Sequence, residues 1–233
     1  MPDRYIIFAA VVVVAGLVYV FSHFAARERR ERLAALASAL RFTLVPDEEA
    51  ALAHGEYDRF DPFDRGTEQT SFNLIVGQRN GVRYELFDYR YETGSDETKV
   101  THRYGVVVAR VPVRFKRLRL RPEGILDQVA TMAGFDDINF ELHEFSRRYH
   151  VSCEDREYAY QIIHPLAIEF LMRCPVLHWQ FDGSVIVIHR AGRFEPREML
   201  RVMEAVEGFL GHVPAFVQQD AGPTDEVRAI LRR

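Results

Sequence analysis

From Tyr5 to Phe24 the chain reads YIIFAAVVVVAGLVYVFSHF, and no Asp, Glu, Lys or Arg interrupts it. A helix over this stretch is about 30 Å long, the thickness of a bilayer's hydrocarbon core. A chain in lipid must satisfy its own backbone hydrogen bonds, which a helix does. Val11 to Val14 are β-branched and helix-poor in water, but the loss of backbone bonds in lipid outweighs that propensity. Tyr5 suits the interface at one end. The stretch is too long for a secretory signal, whose apolar region runs about 7–15 residues. Cleavage after Ala25 or Ala26 would place His23 or Phe24 where a small residue is needed. The sequence therefore predicts an uncleaved transmembrane helix over residues 5–24.

The flanks set a direction. Asp3 and Arg4 precede the span, whereas Arg27, Arg29, Arg30 and Arg32 follow it. Lys/Arg excess marks the cytoplasmic side. The expected layout is a short extracytoplasmic N-terminus (1–4), the span (5–24), a juxtamembrane helix (25–41), a soluble cytoplasmic domain (42–217) and a loose tail (218–233). The site expected for the protein is the cell membrane, crossed once. No G-x-x-x-G pattern marks a helix-dimer face in the span.

Net charge is −4, which removes any global electrostatic case for nucleic acid. The chain has two cysteines, Cys153 and Cys174, and a cytoplasmic setting keeps such thiols reduced.

Beyond the span, Leu33, Leu36, Ala37 and Leu40 make an apolar stripe on a helix over 27–41. Phe42–Val45 reads as a short strand ended by Pro46. Residues 47–54 read as one or two helical turns and 55–70 as a solvated loop. Strands 72–78 and 82–91 flank Asn80-Gly81, a tight-hairpin signal. Within 82–91 the alternation changes phase, which a bulge or burial on both faces would explain. Lys99–Val111 is a long strand, ended or kinked at Pro112, and Phe115–Leu120 follows as another. Pro122 to Gly134 carries a helical stripe of Ile125, Leu126, Val129 and Ala133. Phe145–Cys153 is strand-like. Residues 155–173 are helical, with Ala159, Ile162, Ile163, Leu166 and Phe170 inward and a break at Pro165. Strands 176–181 and 184–189 flank a second turn signal, Asp182-Gly183. A last helix opens at Glu195-Pro196 and closes at Gly211. The class is α+β: one transmembrane helix, then a mainly antiparallel sheet with covering helices.

Three stretches carry a resemblance. FNLIVGQRNGVRYELFDYRYETGSDETKVTHRYGVVV, LRPEGILDQVATMAGFDDINFELHEFSRRYHV and AYQIIHPLAIEFL resemble a family of uncharacterised prokaryotic membrane-anchored proteins, a domain of unknown function. The likeness runs from about Glu31 to Val217, and the phrases FDYRY, RPEG, GFDDI and EFSRRY carry it. It implies the same architecture and no activity.

No P-loop, dinucleotide fingerprint, nucleophile elbow or H-E-x-x-H occurs, so no catalytic residue, cofactor or metal is expected. The one zinc-like set is His150, Cys153, Cys174 and His178, with His164 nearby; each half mixes ligand types, and burial is the commoner fate of such cysteines. Glu56, Asp58, Asp61 and Asp64 lack the spacing of a calcium loop. Phe87, Tyr89, Tyr91 and Tyr104 read as sheet core with satisfied hydroxyls rather than a stacking site. Arg27, Arg29, Arg30, Arg114, Lys116, Arg117 and Arg119 are the candidate contacts to anionic lipid headgroups. The functional expectation is a membrane-proximal binding or scaffolding module whose partners are the bilayer, lipid headgroups or a protein. The alternative is an unrecognised hydrolase or metal-dependent enzyme, which a deep pocket with convergent His, Asp and Arg would favour.

Overall fold

The computed structural model describes residues 3–47, 55–95, 97–123, 138, 140, 142–215 and 217. The turns expected in 47–54, the helix expected between Pro122 and Gly134 and the tail from 218 fall largely or wholly outside the described residues.

Helix α1 runs without a break from Asp3 to Leu40. Its last turns bury Leu33, Leu36 and Ala37 against the domain. Arg41 takes a left-handed φ of 59°. Its N–H donates to Ser38 O and the N–H of Phe42 donates to Ala37 O, closing the helix in a Schellman arrangement. The chain then turns Phe42 onto the sheet, where its ring occupies the space a Cβ on Gly77 would need. Among the described residues no helix is long and apolar enough to cross a membrane. The side chains of 5–7, 9–11, 15 and 18, all in the expected span, lie outside those residues.

Among the described residues six strands form one antiparallel sheet: β1 (Thr43–Leu44), β2 (Thr67–Arg79), β3 (Val82–Thr93), β4 (Val100–Pro122), β5 (Tyr149–Cys153) and β6 (His178–Ala191). The turn between β2 and β3 is Asn80-Gly81, with φ of 50° and 77°, which matches the strand twist. β3 is buried on both faces from Leu86 to Tyr89, which accounts for its change of phase. β4 does not end at Pro112 but continues to Pro122 as a single strand. Its first half pairs with β3 and its last residues with β5, while β6 follows its other edge.

β6 reverses direction. His178 and His189 would stand about 36 Å apart in a straight strand, yet their rings stack with centroids 4.5 Å apart. The turn falls at Asp182-Gly183, where Gly183 has φ 58°. β4 runs round the outside of this bend: Arg110 faces Val185 and Leu120 faces Trp179. An outer strand turning through a half circle travels roughly 15 Å further, about four residues. The register of β4 against β6 slips by that amount.

Helices cover one face. α3 (Arg156–Ile162) and α4 (Pro165–Arg173) split at Pro165, which opens α4. The expected split re-phases the pattern, so Ala167, Ile168 and Leu171 point inward and Leu166 is exposed, contrary to the expectation that Leu166 points inward. A short turn, α2 (His143–Ser146), stands where a strand start was expected, and β5 begins only at Tyr149. α5 (Pro196–Leu210) opens with a capping box between Glu195 and Glu198. Its Met199, Val202, Met203, Val206 and Phe209 are buried, with Phe209 against Phe181 and Trp179.

The other face is covered by the loop from Gly55 to Gly66. Tyr57, Phe60 and Phe63 are buried in a second apolar cluster with Phe87, Tyr89, Tyr91, Val106, Val108, Val185 and Val187. The loop expected to be solvated is thus a lid on the sheet, its aromatic rings and Asp61 turned inward and Glu56, Asp58 and Asp64 exposed.

Candidate functional site

The strand pattern of β6 places Trp179, Phe181, Ile186 and Ile188 in the core beneath the helices. The intervening positions face the loop: Gln180 reaches Asp61, and Val185 and Val187 join its aromatic residues. The parity changes at the bend, where the register of β6 against β4 shifts as well. His178, Gln180 and His189 meet there, and the loop brings Asp61 to them. One ligand atom each from Asp61, His178 and His189 lies within 4.8 Å of the others.

Hydrogen bonds fix this cluster. Gln180 Oε1 accepts from the N–H of Asp61 at 3.0 Å, and Gln180 Nε2 donates to the Asp61 carbonyl at 2.7 Å. That pair sets the orientation of the Gln180 amide. Its second N–H then donates to His189 Nε2 at 3.1 Å, so the network assigns the His189 proton to Nδ1. Nδ1 is buried without a hydrogen-bond partner; the Tyr104 ring meets the imidazole edge-to-face at 5.7 Å. Arg65 Nε forms an ion pair with Asp61 Oδ1 at 2.9 Å.

Burial raises the Asp61 carboxyl above its ordinary value, against the pull of Arg65. Burial first, then Arg121 and Arg65, push His178 down to about 4. Burial, with His178 and Arg65, holds His189 well below the ordinary imidazole value. Both rings are neutral at neutral pH, with lone pairs available. Two imidazole nitrogens and one carboxylate oxygen are a donor set that can bind a dication.

The residues proposed from sequence for lipid headgroups are dispersed. Arg27 is exposed and pairs with Glu31 at 3.0 Å. Arg29 is buried: Nε donates to Asp88 Oδ2 at 2.7 Å, and Nη2 to Asp88 Oδ1 at 2.6 Å and to the Phe194 carbonyl at 3.0 Å. It is therefore withheld from any headgroup, because the Asp88 carboxylate in the middle of β3 needs a counter-charge. Arg30 pairs with Asp47 at 2.8 Å. Arg114 and Lys116 are exposed beside a cavity of about 450 Å³ that also includes Asp155 and Tyr158, and Lys116 pairs with Asp155 at 2.6 Å. A register slip after Phe115 moves Arg117 and Arg119 to the loop side. There Arg117 reaches Asp182 at 3.5 Å, and Arg119 is half-buried in the field of Asp61, Asp64 and Asp182.

The sequence-derived zinc set does not assemble: His178 joins Asp61 and His189, His164 meets the His212 carbonyl, and Cys153 and Cys174 are free thiols raised by burial. The acidic loop residues part in the same way, Glu56 to Arg110 and Asp61 to Arg65. Phe87, Tyr89, Tyr91 and Tyr104 pack in the second cluster. The Tyr89 hydroxyl is nevertheless buried without a partner, contrary to the expectation of satisfied hydroxyls. A larger cavity of about 780 Å³, lined by Phe140, Leu142, Tyr160, Ile163 and Ile168, lies apart from the Asp61 cluster. No sequence signal points to His189 or Asp61 as a pair, since a chain reversal and a loop crossing bring them together.

No family model and no curated protein matches this chain in sequence. Among solved structures, the crystal structure of the mycobacterial trehalose monomycolate transport factor A, TtfA, is similar in fold. The TM-score is 0.58 at 13% identity, over 81% of this chain and 97% of that one.

Proposed function

We propose that this is a single-pass membrane protein, anchored by residues 5–24, whose α+β domain lies on the cytoplasmic side as a membrane-proximal binding or scaffolding module. It belongs, on this reading, with the membrane-anchored family that its phrases resemble. The observation that carries the reading is the contrast within α1. Its last turns are packed and ion-paired to the sheet, while Phe8, Val12, Val13, Val14, Leu17, Tyr19, Val20, Phe21 and Phe24 are all exposed. These residues fall on opposite sides of the helix, and an exposed apolar surface of that kind belongs in lipid. The shared fold with a protein described as a transport factor supports a transport-related role at a membrane. The module would hold a protein partner or anionic headgroups, and of the candidate cations Arg27, Arg114 and Lys116 are exposed.

The test is co-sedimentation of a fragment spanning residues 26–217, which keeps Arg29, with neutral and with anionic vesicles at low salt. Binding to anionic vesicles that fades as salt rises supports the headgroup half. Equal binding to both vesicle types removes it and leaves a protein partner, sought by cross-linking of the full chain in membranes.

A second reading, a metal-dependent enzyme, draws on the convergence of Asp61, His178, His189 and Arg65. Metal-stimulated hydrolysis of a generic ester or phosphomonoester, abolished by Asp61→Asn, would favour it over the module.

A further inference from the structure

We propose that Asp61, His178 and His189 bind one divalent first-row transition-metal ion, with Zn²⁺ the best fit, and that the ion clips the Gly55–Gly66 loop to β6. The inference is independent of the membrane reading, because it concerns only the loop-covered face of the domain.

The donors suit the ion. Zn²⁺ takes imidazole nitrogen and carboxylate oxygen at about 2.0–2.2 Å, which sets donors around a tetrahedral ion roughly 3.3 Å apart. The three atoms here lie within 4.8 Å, so side-chain rotation closes the difference. Two neutral imidazoles and one carboxylate also leave a fourth position for water.

The surroundings are those of a ligand set held from behind. Arg65 is ion-paired with one oxygen of Asp61, which leaves the other for the metal. Gln180 clamps the Asp61 backbone at both N and O. The same amide leaves the His189 lone pair on Nε2. Such partners orient ligands and fix their tautomer. A metal on Nε2 displaces one neutral hydrogen bond, a loss small beside the affinity of such sites. Arg65, Arg119 and Arg121 repel the ion, and Asp64 offsets part of that repulsion.

The experiment uses the tag-free full-length chain in detergent, stripped with chelator and titrated with ZnCl₂ by calorimetry, with Tm followed in parallel. The expected result is one ion per chain and a Tm rise of several degrees. Asp61→Asn and His178→Gln should each weaken binding by about tenfold or more and abolish the Tm rise, with far-UV circular dichroism unchanged. Cys153→Ser with Cys174→Ser should leave both readouts as in the wild type. Absence of saturable 1:1 binding to the wild-type chain overturns the proposal. So does binding that survives both Asp61→Asn and His178→Gln, or binding that is lost in the double serine variant.

Discussion

Arg29 and Asp88, 59 positions apart, form a two-point ion pair in which both side chains are almost wholly buried. Asn73 Nδ2 donates to the same carboxylate at 2.9 Å. The pair ties the end of α1 to the middle of β3, so motion of the helix is motion of the sheet. Removing one partner leaves the other charged and buried. Arg29→Ala or Asp88→Ala should each cost about 3–5 kcal/mol, read by denaturant unfolding of the 26–217 fragment. The double replacement Arg29→Met with Asp88→Leu should recover most of that loss, because no uncompensated charge remains.

The same pair sets where a soluble domain can begin. A fragment of residues 31–217 contains the whole resemblance region but lacks Arg29. It should unfold at lower denaturant than the 26–217 fragment, by a margin of about 3 kcal/mol or more. Equal midpoints would show that Asp88 finds its counter-charge elsewhere, with Arg193, 3.9 Å away, as the candidate.

Gly105 tests the packing of the α5 approach onto β4. A Cβ there would stand 2.5 Å from the backbone nitrogen of Phe194, which cannot move as a side chain can. Gly105→Ala should therefore destabilise by roughly 1–3 kcal/mol, measured as a lowered midpoint. Gly81→Ala meets no neighbour and should cost less, through its left-handed φ alone.

His178 predicts a pH dependence with a definite sign. Above about 6.5 the imidazole is neutral in both the folded and unfolded chain and stability is at its full value. Below that the unfolded chain takes up a proton and the folded one does not until about pH 4. Stability therefore falls as pH drops from 6.5 to 4, by an amount on the order of 3 kcal/mol at about 1.4 kcal/mol per unit. His189, also held low, adds to the slope. Asp61, raised by burial, opposes it by taking up its proton earlier in the folded state. His178→Gln should flatten the profile between pH 6.5 and 4, as followed by urea midpoints at fixed temperature.

Much of the fold was legible because it rests on short-range pattern. The Asn80-Gly81 turn, the apolar stripe of α5 and the mainly antiparallel sheet follow from local spacing and turn chemistry. The phase change in β3 was visible too, as the trace of a strand with a core on either face. What stayed hidden depends on partners distant in sequence. Arg29 reads as one more juxtamembrane arginine until Asp88 is known to lie beneath it. Residues 55–66 read as solvated because their carboxylates outnumber Tyr57, Phe60 and Phe63, yet the rings decide the outcome by covering β3 and β6. Pro112 signals an end to β4, and the strand passes it because the outer path round the β6 bend leaves its neighbourhood free of regular pairing. The meeting of Asp61, His178 and His189 needs both that bend and that loop.

The placement of the domain is the central claim, and fusions after Val217 test it most directly. One fusion would carry a reporter active only in the cytoplasm, the other a reporter active only after export. The account predicts that the full-length chain sediments with membranes and that only the cytoplasmic reporter is active. Activity of the exported reporter alone would reverse the orientation and put the two thiols on the oxidising side. A chain found wholly outside the membrane fraction would contradict the anchor itself.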